Sequence, residues 1–173
     1  MIDVLIFGHR CSCVRLRYDT GHRNEREPIM NVLALAEAWW AQHSIHLDQE
    51  PGGDRFGTII IEGDTRAAPL RMVAIGDSMI AGCGVDDQAH GFTPDLAAVF
   101  SRVLNRSIAW ESYGKLGATV RRVRYRLLPE VEGRADLLVL CAGSNDLMAR
   151  RSLEEWRTDL AAACLLYTSD AAD

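Results

Sequence analysis

The chain has little that would commit it to a membrane, to nucleic acid or to an oxidising compartment. None of its apolar runs reaches the roughly 20 residues that span a bilayer. Met1–Phe7 is apolar, but it lacks a basic flank and a small-residue cleavage site, so it does not read as a signal peptide. Positive charge is in deficit, with 19 Lys and Arg against 24 Asp and Glu and a net charge of -5. Nucleic-acid-binding domains usually carry a basic face, so DNA and RNA are not the expected partners. Five cysteines, an odd number in 173 residues, do not read as a disulfide framework. Cys11-Ser-Cys13 is too short for a four-ligand zinc site, and Cys83 and Cys141 read as small packed side chains. No metal and no cofactor are expected. The first strand-to-helix turn lacks the Gly-x-Gly-x-x-Gly fingerprint, which argues against a nucleotide- or flavin-binding domain. The last histidine is His90, an absence that matters below.

What is present suits one soluble domain, with 48% hydrophobic and 25% charged residues. Residues 1–28 are rich in Arg, His and Glu without a helical or strand period, and are expected to form a loosely ordered tail. Residues 29–69 read as a helix over Asn31–His43 carrying Trp39 and Trp40, a loop at Pro51-Gly52-Gly53 and a short strand over Thr58–Glu62. The tryptophans suit docking on the domain or a neighbour better than membrane contact. Met30 is a plausible alternative start.

From 70 to 163 a strand–helix rhythm sets in. Strands are expected over Leu70–Ile75, Ser107–Ser112 and Asp136–Ala142. Helices are expected over Thr93–Leu104, over Thr119–Leu128 with Pro129 ending it, and over Leu153–Ala163. Ser152 and Glu155 have capping-box spacing. The basic run Arg121–Arg126 reads as the solvated face of its helix. Such alternation implies right-handed crossovers and a parallel sheet. Three strands are fewer than the roughly five of a doubly wound sheet. The third strand is therefore expected to expose an apolar edge and promote aggregation. Residues 164–173 match the in-frame translation of a transposon-end sequencing adapter and are expected to be a non-native tail.

Three strand ends carry the chemistry. Gly76-Asp77-Ser78 follows the first, Gly114 and Gly117 follow the second, and Gly143-Ser144-Asn145-Asp146 follows the third. In an open parallel sheet these loops share the carboxyl edge, where ligands bind. Ser78 is the candidate nucleophile. Its own N–H, the N–H of Gly117 and the amide of Asn145 are the candidate oxyanion donors. Gly76 permits the tight exit from the strand, and Asp77 and Asp146 are expected to organise loops by accepting backbone N–H bonds.

Together these motifs make the chain resemble the SGNH (GDSL-type) hydrolases over residues 70–163. Gly76-Asp77-Ser78 is similar to that family's first block, Gly117 to the glycine of its second and Gly143-Ser144-Asn145-Asp146 to its third. The stretch Gly82–His90 and the arginine-bearing helix also resemble bacterial esterase-like members. The resemblance implies a flavodoxin-like three-layer α/β/α sandwich with a parallel sheet, here incomplete. It also implies cofactor-free cleavage of a small-molecule ester through an acyl-serine. The family's Asp-x-x-His block, which supplies the general base, has no counterpart after Asn145. Asp19-Thr-Gly-His22 has the spacing but precedes the sheet. His43, His46 and His90 are expected to be bystanders. A non-catalytic module holding a carbohydrate or acyl ligand on the same fold is the alternative.

Overall fold

The structure, a computed structural model, describes residues 3–8, 12–16, 49–66 and 68–170, with side chains from 49 to 166. The expected helix over Asn31–His43 and the Asp19/His22 pair lie outside the described residues.

Two strands of the central sheet are nearly continuous apolar runs because both of their faces are covered. They are β4 (Leu70–Gly76) and β6 (Leu137–Ala142). The third parallel strand, β5 (Ile108–Gly114), alternates buried and half-buried residues. β4 pairs in parallel with β5 on one side and with β6 on the other. The chain thus leaves β4 in one direction and later crosses to its far side. A right-handed crossover then places the two connecting helices on opposite faces.

Helix α1 (Phe92–Leu104) covers one face. Its Ala97, Leu96 and Phe100 pack with Met72, Ala74, Ile108, Trp110 and Val139. The opposite face is covered by α2 (Val120–Arg122) and its continuation, and by α4 (Leu153–Asp170). There Val123, Leu127, Trp156 and Leu160 pack on Val73, Ile75, Leu138 and Leu140. Each large apolar side chain so buried stabilises the fold by about 1.5–3 kcal/mol. The result is the expected three-layer α/β/α sandwich with a flavodoxin-like core order.

The sheet is larger than its three parallel strands. With β1 (Asp3–Gly8), β2 (Ser12–Leu16) and β3 (Phe56–Ile59), its order is β2-β1-β6-β4-β5-β3. β3 (Phe56–Ile59) adds antiparallel to β5, so this segment belongs to the same sheet as residues 70–163. Asp3–Gly8 and Ser12–Leu16 form an antiparallel hairpin, β1 and β2, and β1 pairs antiparallel with β6 along its whole length. Two expectations are corrected here. Part of the supposed loose tail is strand, because Val4–Phe7 is a run of strand-forming residues with an open edge to pair with. The edge of β6 is accordingly covered rather than exposed.

Two helices also differ from expectation. The chain after Val120–Arg122 widens into a π turn over Val123–Leu127 and tightens into a 3-10 turn over Leu128–Glu130. Pro129 does not end this segment, because it sits in the first turn of the last piece, where its missing N–H costs nothing. Helix α4 opens with the expected capping box. Glu155 N–H donates to Ser152 Oγ at 3.2 Å and Ser152 N–H donates to Glu155 Oε2 at 2.9 Å. It continues past Ala163 to Asp170, with Cys164 packed against the core.

Candidate active site

Because β5 and β6 flank β4, the crevice between the carboxyl ends of β4 and β6 is the topological switch point of the sheet. Ser78 stands two residues past the end of β4. Asn145 lies in the short helix α3 (Ser144–Met148) that follows β6. Gly117 lies in the loop after β5.

Backbone and side chains tie these three loops together. Gly76 has no room for a side chain, since a Cβ there would overlap the Cys141 carbonyl oxygen. Asp77 N–H donates to that same oxygen at 3.1 Å, and Lys115 N–H donates to Gly76 O at 3.2 Å. The chain then coils, with Ala81 N–H on Asp77 O at 2.9 Å and Cys83 N–H on Ser78 O at 3.0 Å. Ser78 is half-buried at the head of this coil. Among the described residues its hydroxyl and its N–H have no hydrogen-bond partner, and the N–H of Gly117 has none either. Gly117 adopts φ +74° with open space where a Cβ would lie. Asn145 donates one amide hydrogen to Ala118 O at 3.0 Å. That bond fixes the amide and leaves its second hydrogen available.

The carboxylates organise the loops. Asp77 Oδ1 accepts Met79 N–H at 3.1 Å, and its Oδ2 accepts the Ser144 hydroxyl at 3.3 Å, joining the first and third motifs. Burial pushes the Asp77 carboxyl above its ordinary value, outweighing these hydrogen bonds. Asp146 Oδ2 accepts Val120 N–H at 2.7 Å, and its Oδ1 accepts Arg151 Nη1 at 2.9 Å. Arg151 also reaches Asp159 at 2.6 Å, and Asp159 accepts Arg124 at 2.9 Å. Burial also strands Cys141, whose thiol is pushed up to about 11. It is an inert packed side chain.

Several contributors carry no motif in the sequence. Glu50 Oε1 accepts Leu116 N–H at 2.9 Å, one residue before Gly117. Buried Gln88 donates to Ala81 O at 2.9 Å, in the coil that follows Ser78. Ser112 donates to Ile80 O at 2.6 Å. Arg151 and Asp159 bind across turns of the chain that no local pattern connects. His90 is the one histidine among the described residues. It is exposed, and its Nδ1 pairs with Asp86 at 2.9 Å, which raises its pKa. Among the described residues no cluster of three metal-ligating side chains occurs.

The chain is thus a three-layer α/β/α sandwich whose parallel strands carry Ser78, Gly117 and Asn145 in the loops at their carboxyl ends. The family model for GDSL-like lipases and acylhydrolases matches residues 74–169, more than half of the chain, and the chain belongs to this family. The structure is similar to the crystal structure of AlinE4, an esterase of the SGNH-hydrolase family, with a TM-score of 0.51 and 24% sequence identity. That likeness, which concerns the fold, covers 57% of this chain and 53% of the esterase, so the chain spans about half of the esterase's length. No curated protein matches the chain.

Proposed function

We propose that these residues form the nucleophile half of a serine esterase that cleaves small esters through an acyl-serine intermediate. Ser78 Oγ attacks the ester carbonyl. The N–H groups of Ser78 and Gly117 and the free amide hydrogen of Asn145 receive the charge that develops on the carbonyl oxygen. The observation that carries this reading is the coincidence of unpartnered donors at Ser78 and Gly117 with an Asn145 amide already fixed by Ala118. The other half of the machinery is a base. No histidine follows Asn145 in the sequence, so Ser78 keeps an ordinary hydroxyl and the chain turns over esters poorly by itself.

External imidazole tests both statements. With a short-chain aryl ester the chain alone hydrolyses at background rate. Added imidazole, acting as a diffusible base, raises the rate above that of Ser78→Ala under the same conditions. Asn145→Ala lowers that Ser78-dependent part by about 10²–10³, the usual effect of losing one oxyanion donor. Equal rates for the chain and Ser78→Ala in imidazole would sink the esterase reading. The alternative, a module that holds carbohydrate or acyl ligands on this fold, would give saturable ligand binding and no imidazole-dependent difference.

A further inference from the structure

The helix after β5 leads towards β6, and among the described residues no element covers the outer part of the sheet on that face. A cleft of about 1470 Å³ opens there, between the β5–β3 edge and the flank of the helix. It contains neither Ser78 nor Asn145, but begins at Gly114 and Thr119, on either side of the loop that carries Gly117.

Its charge runs against that of the molecule. The chain is acidic, yet the cleft is lined by five cations and three carboxylates. Two of those carboxylates are already satisfied. Glu50 takes Lys115 and Arg55, each at 2.9 Å. Glu111 takes Nε and Nη2 of Arg71, from outside the cleft, at 2.7 and 2.8 Å, with Tyr113 OH at 2.9 Å. Arg121, Arg122 and Arg126 remain on the helix wall. None of the three forms a close ion pair among the described residues, although Arg121 acts at longer range on Glu155, and Glu130 is the acid left over.

The same wall offers apolar surface. The Tyr125 ring meets Arg124 at 4.5 Å from its centroid and Arg121 at 5.9 Å. These cation–π contacts hold the ring in place. Arg121 and Tyr125, and likewise Arg122 and Arg126, are four residues apart and so neighbours on successive turns. The turns that carry them include the π turn Val123–Leu127, a rare geometry that is frequent at functional sites. Tyr113 of β5 also lines the cleft.

We propose that this cleft binds a small phosphate monoester with an apolar body. The phosphate sits on Arg122 and Arg126 with Arg121 beside them, and the apolar part lies against Tyr125 and Tyr113. A phosphate dianion engages several guanidinium forks at once, whereas one fork suffices for a carboxylate. The inference is independent of the chemistry at Ser78.

Calorimetric titration of the full chain with phenyl phosphate, inorganic phosphate and phenol tests it. Phenyl phosphate is expected to bind about tenfold more tightly than either fragment. The double variant Arg122→Gln, Arg126→Gln weakens it at least about tenfold, and the double Lys variant recovers part of that loss. Both residues are exposed, and circular dichroism checks that the variants fold. Ser78→Ala, and Arg102→Gln on the opposite face, leave binding unchanged. Undiminished binding in the double Gln variant overturns the proposal. So does loss in Ser78→Ala, which places the ligand in the catalytic crevice, and so does equal loss in Arg102→Gln, which marks diffuse attraction. Inorganic phosphate binding as tightly as phenyl phosphate removes the apolar subsite. Capture of phosphatidic acid vesicles without phenyl phosphate binding points to a lipid surface instead, and also overturns it.

Discussion

The carboxylate of Asp146 accepts the backbone N–H of Val120 at 2.7 Å, so the loop after β6 holds the start of the helix after β5. Asn145 is the neighbouring residue and bonds Ala118 across the same gap. The two loops that carry Gly117 and Asn145 are therefore tied to each other at two adjacent points.

Removing that tie is costly. Asp146→Ala leaves Val120 N–H without an acceptor and takes one of two carboxylates from Arg151, which is largely buried. Breaking a buried pair from one side costs about 3–5 kcal/mol. Urea denaturation is expected to show a loss near the lower figure, since Asp159 still holds Arg151. An unchanged midpoint would show that the two loops do not depend on this carboxylate.

Two glycines at the site separate sterics from backbone conformation. Gly76→Ala drives a methyl group into the Cys141 carbonyl, and parallel pairing of β4 with β6 cannot persist. A loss of about 3 kcal/mol or more is expected, the upper range for overpacking. Gly117→Ala meets no atom and only strains a positive φ, for about 1 kcal/mol. Its larger effect falls on the imidazole-dependent rate. Thermal melts of the two variants should therefore differ clearly.

Two acids give opposite pH signatures. Burial holds the Asp77 carboxyl above its ordinary value. The folded state then binds more protons than the unfolded one in mild acid, and Asp77 costs stability as pH rises through that window. Burial also pushes Asp159 upward, but its bonds to Arg151 and Arg124 outweigh this and hold it below the ordinary value. Its contribution is present above the unfolded-state pKa and is lost as pH falls through the folded-state one. Urea midpoints between about pH 3 and 7 should show Asp77→Asn gaining on the parent with rising pH and Asp159→Asn falling behind it. Parallel curves for the two variants would contradict both assignments.

Deleting residues 1–16 uncovers the edge of β6, which pairs with β1 along its whole length. An exposed apolar strand edge templates association. Light scattering is expected to show aggregation of the shortened chain at concentrations where the parent stays clear.

Leu70–Ile75 and Asp136–Ala142 are legible as strands because burial on both faces leaves unbroken apolar runs. The placing of Ser78 and Asn145 just past strand ends is legible because each lies two or three residues beyond such a run. β1 escapes notice because its partner is β6, at the far end of the chain, and nothing local announces the pairing. The π turn is illegible because Val123–Leu127 has the same apolar spacing in either helix. The Asp146–Arg151–Asp159–Arg124 chain is read only from coordinates, since Arg124 and Asp159 lie 35 residues apart.

The pairing of β1 with β6 joins Asp3 to Ala142, and so sets an order of events during synthesis. β1 is made before β4, α1 and β5, and its partner β6 only after them. Until then an apolar strand waits without its mate, while β4, α1 and β5 can assemble from near neighbours. Closing so long a loop is slow, and unpaired edges in such intermediates are open to other chains. The yield of correctly folded molecules should therefore depend on how crowded the nascent chains are, even where the finished fold is stable.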